Sequence, residues 1–221
     1  MKFDDQMTRV LKNFSTINKS ILFKPGKVLS TVAPTKTVLA KAKIDQELTD
    51  EFAIYEVPQL LGVLSLFNDP DVEVGTNALT IKQGKETVRY KFASLETIVY
   101  PTKDLTMPST DVEFDLTQEN LSKLLKAASV LSLPEMLIKG EDGVLTMGAS
   151  DSSDQTKDAF TVELGATDKT FKVFVKIENL KMIPGNYHVV ISASQAIKVI
   201  QFTNEVFSYW VAVEAKQSTW S

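Results

Sequence analysis

The chain of 221 residues contains no cysteine and a single histidine, His188. The lack of cysteine excludes disulfide bonds, cysteine-ligated zinc and cysteine nucleophiles. His188 lies in the alternating run YHVVIS, which predicts a strand-surface position rather than a Ser-His-Asp triad. The nine glycines form neither GxGxxG nor GxxxxGK[ST], so the usual phosphate-binding loops are missing. We therefore expect a protein that binds rather than an enzyme, with no catalytic residues and no cofactor.

Positive charge and long apolar runs are also scarce. The formal net charge is −4, which argues against a protein that holds nucleic acid by bulk attraction. No apolar run approaches the roughly 18 residues of a membrane span, and Asp4 and Asp5 stand where a signal peptide needs an apolar core. The acidic clusters at 69–71 and 151–154 lack EF-hand spacing, so we expect solvated loops and no metal site. The composition indicates an intracellular protein.

Most of the chain alternates apolar and polar residues in short runs separated by turn residues, which predicts an α+β fold of antiparallel strands with few helices. The helical segments are predicted at 5–17, 58–67, 117–131 and 178–183. The segment PTKDLTMPST at 101–110 holds two prolines and little periodicity, which is typical of an interdomain linker.

Two of the predicted helices share one pattern. In the first, Arg9 and Lys12 lie opposite an apolar stripe formed by Met7, Val10, Leu11, Phe14 and Ile17. A shift of 114 residues places Lys123 and Lys126 opposite a second stripe, formed by Leu121, Leu124, Leu125, Ala128 and Leu131. The same shift carries Asp5 onto Glu119, an acidic residue that suits the first turn of a helix. The pattern predicts two equivalent helices.

The similarity extends beyond the helices. ILFK at 21–24 is similar to MLIK at 136–139, and AIYEVPQLL at 53–61 aligns with VFVKIENLK at 173–181. Two strand-rich halves can also be aligned by chance, but order, spacing and charge placement agree here. We therefore predict two similar domains.

Four segments carry a resemblance to a known family: VLKNFSTIN, AIYEVPQLLGVLSLFND, MIPGNYHVVI and YWVAVEA. They resemble the DNA polymerase sliding clamp of T-even-type tailed bacteriophages, and the resemblance covers essentially the whole chain. It implies the DNA clamp fold, with one domain at 1–107, including a linker at about 101–107, and a second at 108–221. It further implies a homotrimer in which six domains surround duplex DNA, with helices inside and sheets outside.

The resemblance also implies a function and partners. The family's clamps are processivity factors that tether the replicative DNA polymerase, are loaded by an ATP-dependent clamp loader and also serve phage late transcription. The location would be the cytoplasm of the infected host, away from membranes. The residues expected to face DNA are Arg9, Lys12, Lys19, Lys123, Lys126 and Lys181. The alternative for these cations is an ordinary solvated helix face.

A second site follows from the resemblance. Clamps receive partner peptides in an apolar pocket beside the linker and the last strand. The candidates here are Val99, Pro101, Leu105, Met107, Pro108, Tyr209, Val211 and Val213. The alternative is plain core for the strand residues and plain cover for the linker residues. The subunit contact is expected to be head-to-tail between sheet edges, which the sequence does not identify.

Two other classes remain open. A monomeric, duplicated saddle could bend DNA directly, although the acidic charge and the lack of a clustered basic groove weigh against it. A non-ring structural assembly protein of a virion or scaffold would carry the basic stripes incidentally. Native mass and retention on circular DNA discriminate among the three.

Overall fold

A computed structural model describes residues 1–154, 156–193 and 198–220. The chain divides into two compact units, Met1–Asp104 and Leu105–Ser221, each with its own helices and antiparallel strands.

The elements of unit 1 are, in chain order, α1 (Asp5–Ile17), β1 (Ile21–Phe23), β2 (Gly26–Val32), β3 (Val38–Leu48), β4 (Phe52–Ile54), α2 (Val57–Leu64), β5 (Asp71–Val74), β6 (Ala78–Gln83), β7 (Glu86–Lys91) and a 3-10 turn (Leu95–Thr97). Strand β1 pairs with β4, β2 pairs with β3, and β5, β6 and β7 form a sheet in that order. Helix α1 packs on α2, β2 and β3.

Helix α1 forms because its start and its apolar face are both well specified. The Asp4 side chain accepts a hydrogen bond from the Met7 amide at 2.7 Å, which satisfies one unpaired donor of the first turn. The predicted stripe is confirmed, since all five of its apolar side chains are buried. Each such burial contributes roughly 1.5–3 kcal/mol, so the packed face determines how α1 sits on unit 1.

The elements of unit 2 are, in chain order, β8 (Val112–Leu116), α3 (Gln118–Val130), β9 (Glu135–Glu141), β10 (Val144–Ser150), β11 (Phe160–Ala166), β12 (Phe171–Lys176), a 3-10 turn (Ile177–Asn179), β13 (Tyr187–Ser192), β14 (Val199–Thr203), β15 (Phe207–Ala212) and β16 (Thr219–Trp220). One sheet has the order β11-β10-β9-β12-β16, and β8, β13, β14 and β15 are hydrogen-bonded neighbours in that order. Helix α3 packs on β9, β10 and β11.

The hairpin of β9 and β10 shows how local sequence sets the register. Glu141 pairs with Val144, so the loop is the two residues Asp142 and Gly143, both with positive φ. Positive φ at both loop residues is the geometry of a type I′ turn. The twist of this turn matches that of the paired strands, and the sequence Asp-Gly favours it. This turn therefore sets the register of two strands in the sheet on which α3 packs.

The stripe predicted for α3 is only partly right. Leu121, Leu124 and Ala128 are buried and Leu125 is half-buried, but Leu131 is 36% exposed. Helix α3 ends at Val130 with a Schellman motif, in which the Leu133 amide donates to the Ala128 carbonyl at 2.8 Å and Ser132 has φ 53°. The chain reverses there, so Leu133 takes the buried position predicted for Leu131.

The helix predicted at 178–183 is wrong. The structure has a single 3-10 turn at Ile177–Asn179, and residues 180–183 have no regular secondary structure. Pro184 explains part of this, since it disfavours helical geometry at the residue before it. The helix predicted at 58–67 is also shorter at its end, because α2 ends at Leu64. No helix among the described residues is long and apolar enough to cross a membrane.

Candidate nucleic-acid interface

The exposed face of α1 carries two cations. Arg9 and Lys12 are exposed, and their spacing of three residues places them on one side of the helix, opposite the buried stripe. Neither forms an ion pair with any residue in the described ranges. Asp5 stands four residues before Arg9, and it also has no ion-pair partner there. Helix α1 therefore presents two positive charges that form no ion pair with any carboxylate of the described residues.

The exposed face of α3 carries the two corresponding cations, Lys123 and Lys126, but one of them is paired with an acidic side chain. Lys123 Nζ lies 2.6 Å from Glu119 Oε1, one helical turn earlier. The hydrogen bond from the Lys123 ammonium lowers the pKa of the Glu119 carboxyl below its usual value, and the positive charge of Lys123 is a second, smaller cause. Lys126 is exposed and forms no ion pair within the part of the chain that the structure describes. Helix α3 thus presents Lys123, which is paired with a carboxylate, and Lys126, which is paired with none among the described residues.

The other two predicted DNA-facing residues, Lys19 and Lys181, do not lie on α1 or α3. Lys19 follows α1, and its Nζ lies 3.6 Å from Glu56 Oε1 while most of the side chain stays exposed. Lys181 is exposed, but it lies after the 3-10 turn of unit 2 and not on the helix expected there. Of the six candidates, the structure places Arg9, Lys12, Lys123 and Lys126 on regular α-helices.

This arrangement favours contacts to phosphates. Ammonium and guanidinium groups on a solvated helix face attract the DNA backbone without distinguishing base pairs, and the attraction weakens as salt rises. The buried faces of α1 and α3 determine which side of each helix is exposed, so these charges face solvent. Each of the two helix faces is therefore suited to sequence-independent and salt-sensitive contact with a polyanion.

The residues predicted for the partner-peptide pocket divide into two groups. Val99 is 41% exposed, and Pro101, Leu105 and Met107 are half-buried with Pro108 exposed. Tyr209, Val211 and Val213 are instead buried on and just after β15, where the Tyr209 ring lies 6.0 Å from that of Tyr187. In this structure Tyr209, Val211 and Val213 therefore offer a partner almost no accessible surface.

The remaining polar candidates have ordinary structural surroundings. His188 is on β13 with an exposed side chain, and its Nδ1 lies 3.0 Å from Asp115 Oδ1 on β8. Asp69 lies 3.6 Å from Lys2, and Asp151 accepts a hydrogen bond from Lys157 at 2.7 Å. Across the described residues, no group of three or more His, Cys, Asp or Glu side chains is placed to hold a metal. His188 therefore has the strand-surface position that its sequence context predicts.

Sequence reasoning missed the partner of Lys123. The sequence pattern indicates only that Glu119 interacts favourably with the helix dipole, whereas its side chain also pairs with Lys123, a candidate DNA contact. The signal was available, since Glu and Lys four residues apart on a helix, with Glu first, are a favourable pair. The pair between Lys19 and Glu56 joins residues distant in sequence, so no local pattern predicts it.

Comparison with known proteins relates these features to one family. Residues 4–100 match the family model "DNA polymerase processivity factor", and residues 113–215 match "gp45 sliding clamp, C terminal". The chain is 30% identical to the sliding clamp of Enterobacteria phage T4 and 29% identical to that of Escherichia phage RB69, in each case over 97% of both chains.

Solved structures agree at the level of fold. The DNA polymerase III subunit beta of Pseudomonas aeruginosa superposes with a TM-score of 0.68 at 15% identity, over 96% of this chain and 63% of that chain. The Proliferating Cellular Nuclear Antigen of Entamoeba histolytica gives a TM-score of 0.67 at 15% identity, over 94% of each chain. These likenesses confirm the predicted clamp fold. The chain therefore belongs to the bacteriophage sliding clamp family, the processivity factors of phage DNA polymerases, as its sequence resemblance predicted.

Proposed function

We propose that three copies of this chain form a closed ring around duplex DNA and hold the replicative DNA polymerase on its template. The two clamp domains, 1–107 and 108–221, would correspond to the two compact units apart from residues 105–107, with α1 and α3 facing the central hole. The observation that carries this proposal is the pair of amphipathic helices whose exposed faces hold cations in a chain of net charge −4. In such a ring, retention comes from topology, so a few weak phosphate contacts suffice.

Further parts of the proposal rest on the family. A clamp loader would use ATP to open the ring and place it on DNA, and the loaded ring would also engage late-transcription factors. The work of the chain itself is binding rather than catalysis, and it takes place in the cytoplasm of the infected bacterium. Lys19 and Lys181 are secondary DNA contacts in this proposal, because neither lies on α1 or α3.

The ring is tested by native mass and by retention on DNA. The protein is loaded on nicked circular DNA with loader and ATP, the DNA is linearised, and bound clamp is measured. We expect a trimer that stays on circles and leaves after linearisation. A monomer, or retention that ignores DNA ends, contradicts the proposal.

The helix faces are tested with Arg9→Ala plus Lys123→Ala. We expect unchanged folding but weaker retention at moderate salt, because two phosphate contacts per subunit are lost. Lys27→Ala plus Lys216→Ala is the matched control, since it removes the same charge from exposed positions outside α1 and α3. Equal retention by the two double variants would remove the assigned role of the helix faces.

For the partner pocket, we propose that Val99, Pro101, Leu105, Met107 and Pro108 supply the accessible contacts. Tyr209, Val211 and Val213 would contribute only as part of the core of unit 2, because they are buried. The variant Val99→Asp plus Leu105→Asp should abolish binding of the C-terminal peptide of the cognate polymerase. Leu95→Asp, at an exposed leucine outside the proposed pocket, should leave binding intact. Peptide binding unaffected by the double variant would overturn the pocket.

A further inference from the structure

The side chain of Asn18 is a buried amide at the end of α1. Asn18 follows the last residue of the helix, and its backbone amide donates to the Phe14 carbonyl at 2.9 Å, which satisfies one carbonyl of the last turn. Only 9% of Asn18 is exposed to solvent. A buried amide side chain needs hydrogen-bond partners, because without them it loses its hydration and gains nothing in exchange. The partners of Asn18 therefore indicate which parts of unit 1 it holds together.

All the hydrogen-bonding capacity of the Asn18 side chain is used. Nδ2 donates to the Val32 carbonyl at 3.0 Å and to the Val99 carbonyl at 2.8 Å. Oδ1 accepts from the Ser20 amide at 3.0 Å and from the Ser20 hydroxyl at 3.1 Å. An amide side chain has two donor hydrogens and two acceptor lone pairs, so each has one partner here. The reversed amide would set its oxygen against two carbonyls, and the surroundings therefore select the orientation described.

The bond to Val99 joins α1 to the segment that leads into the linker. Val99 is 81 residues after Asn18 in the sequence. Within unit 1, all of whose residues the structure describes, this is the one hydrogen bond to a backbone group of residues 98–104. Residues 98–104 belong to no strand that could hold them through a ladder of backbone bonds. The Asn18 amide therefore takes the place of a strand partner at Val99.

Other contacts hold the same segment through its side chains. The Tyr100 ring packs against a buried apolar cluster, and Lys24 Nζ lies 5.6 Å from its centroid. Lys41 Nζ lies 2.5 Å from Asp104 Oδ1, but the Asp104 side chain is largely exposed, and exposed ion pairs contribute little. The bond from Asn18 is therefore the contact that constrains the backbone itself near the end of unit 1.

We propose that Asn18 is a positioning residue for the partner-peptide pocket. It does not touch the partner peptide. It holds the backbone at Val99, whose exposed side chain belongs to the pocket, and so fixes the direction in which the chain continues to Pro101. A segment that is already ordered does not have to be ordered when the peptide binds, and this raises affinity. The inference rests on the proposed pocket and identifies what holds its accessible part in place.

The test removes the two donors of the Asn18 side chain. Asn18→Asp keeps the shape and the acceptors but sets an oxygen against the Val99 carbonyl, whereas Asn18→Ala removes the amide without adding a charge. We expect each variant to weaken binding of the C-terminal peptide of the cognate polymerase by about tenfold. Thr16→Asp adds the same charge at an exposed position near the end of α1, and Ser20→Ala removes one partner of Oδ1 but keeps the bond to Val99. Both controls should bind the peptide as the wild type does.

A spin label reports directly on the segment that Asn18 holds. Lys103→Cys supplies the only thiol, because the chain has no cysteine. The mobility of a nitroxide at this position should rise in Asn18→Asp and Asn18→Ala but not in Ser20→Ala. A merely structural role would lower the urea midpoint of all three variants and leave the label unchanged below the unfolding transition.

Asn18→Asp should also bind the peptide in a pH-dependent way. A protonated carboxyl regains one O–H donor that can reach a carbonyl, so its affinity relative to Thr16→Asp should partly recover in acid. Calorimetry reports affinity separately from the number of competent sites, so partial unfolding does not mimic the effect. A wild type that does not bind the peptide would overturn the proposed pocket itself. Binding by the wild type, with unchanged affinity or label mobility in both Asn18 variants, would overturn the role of Asn18 and leave the pocket standing.

Discussion

At the scale of single residues, Arg9 and Lys123 occupy equivalent places in the sequence repeat but differ in their surroundings. Both have an acid four residues earlier, yet only Glu119 pairs with its cation, whereas Asp5 forms no ion pair among the described residues. A phosphate that approaches Lys123 must compete with a carboxylate 2.6 Å away. We therefore expect Arg9 to contribute more to DNA retention than Lys123.

The first prediction is that Glu119→Gln strengthens DNA retention. Removing the carboxylate leaves Lys123 available to phosphate, so the salt dependence of binding should steepen by up to about one unit of slope per subunit in contact. Retention on circular DNA across a salt series measures this. Glu51→Gln, at an exposed acid in unit 1, should behave as wild type, and a shared response of both variants would indicate only a net-charge effect.

The effect of Glu119→Gln should also depend on pH. The Lys123 hydrogen bond lowers the pKa of Glu119, so the carboxylate persists below the ordinary glutamate pKa in the folded protein. The stabilisation from the pair of Glu119 and Lys123 is fully present above the pKa that Glu119 has in the unfolded chain. It is lost as the pH falls through the lower pKa that Glu119 has in the folded protein. Wild type and variant should therefore converge in acid, provided that far-UV circular dichroism shows both still folded.

At the scale of elements, the helices α1 and α3 could be predicted because capping and periodicity are local properties. The segment at 178–183 could not, because its apolar residues also suit an extended chain and Pro184 follows them. The end of α3 was misplaced for a related reason. The left-handed turn at Ser132 removes Leu131 from the buried stripe, and serine gives no clear signal for such a turn.

The second prediction concerns that turn. Ser132→Gly should raise the free energy of unfolding by a few tenths to about 1 kcal/mol, because glycine adopts a positive φ without the steric cost of a side chain. Urea unfolding monitored by tryptophan fluorescence measures the change. Ser122→Gly, inside α3, should instead cost about 0.5 kcal/mol, and stabilisation by both would contradict the explanation.

At the scale of the whole molecule, sequence reasoning supplied the family and the helix cations but not the surfaces that meet other copies. Sheet edges depend on which strands pair, and pairing between distant segments leaves no local pattern. The structure places β7 and β11 at sheet edges, although the alternation of apolar and polar residues in each also suits a strand inside a sheet with one solvated face. Burial of Tyr209 and Val211 likewise follows from packing that their alternation alone does not reveal.

The third prediction uses the absence of native cysteine. Thr87→Cys plus Thr161→Cys places one thiol on β7 and one on β11, which are edge strands of their sheets, and no native thiol competes for a flexible bismaleimide. Head-to-tail contact should give a covalently closed trimer that stays on circular DNA in denaturant and leaves when the circle is cut. Each single-cysteine variant is the control. Trimer yields no higher than those of the controls would contradict a contact between β7 of one copy and β11 of the next.

The unequal neutralisation of α1 and α3 has a consequence for movement along DNA. Three copies would present six helices to the duplex, alternating between two uncompensated cations and one. The attraction would then have a three-fold period around the ring, whereas a duplex carries its phosphates on two strands, so the two angular periods around the axis do not coincide. Because these periods differ, we expect phosphates to leave some cations as they approach others, which smooths the energy barriers to rotation and keeps diffusion along the duplex fast.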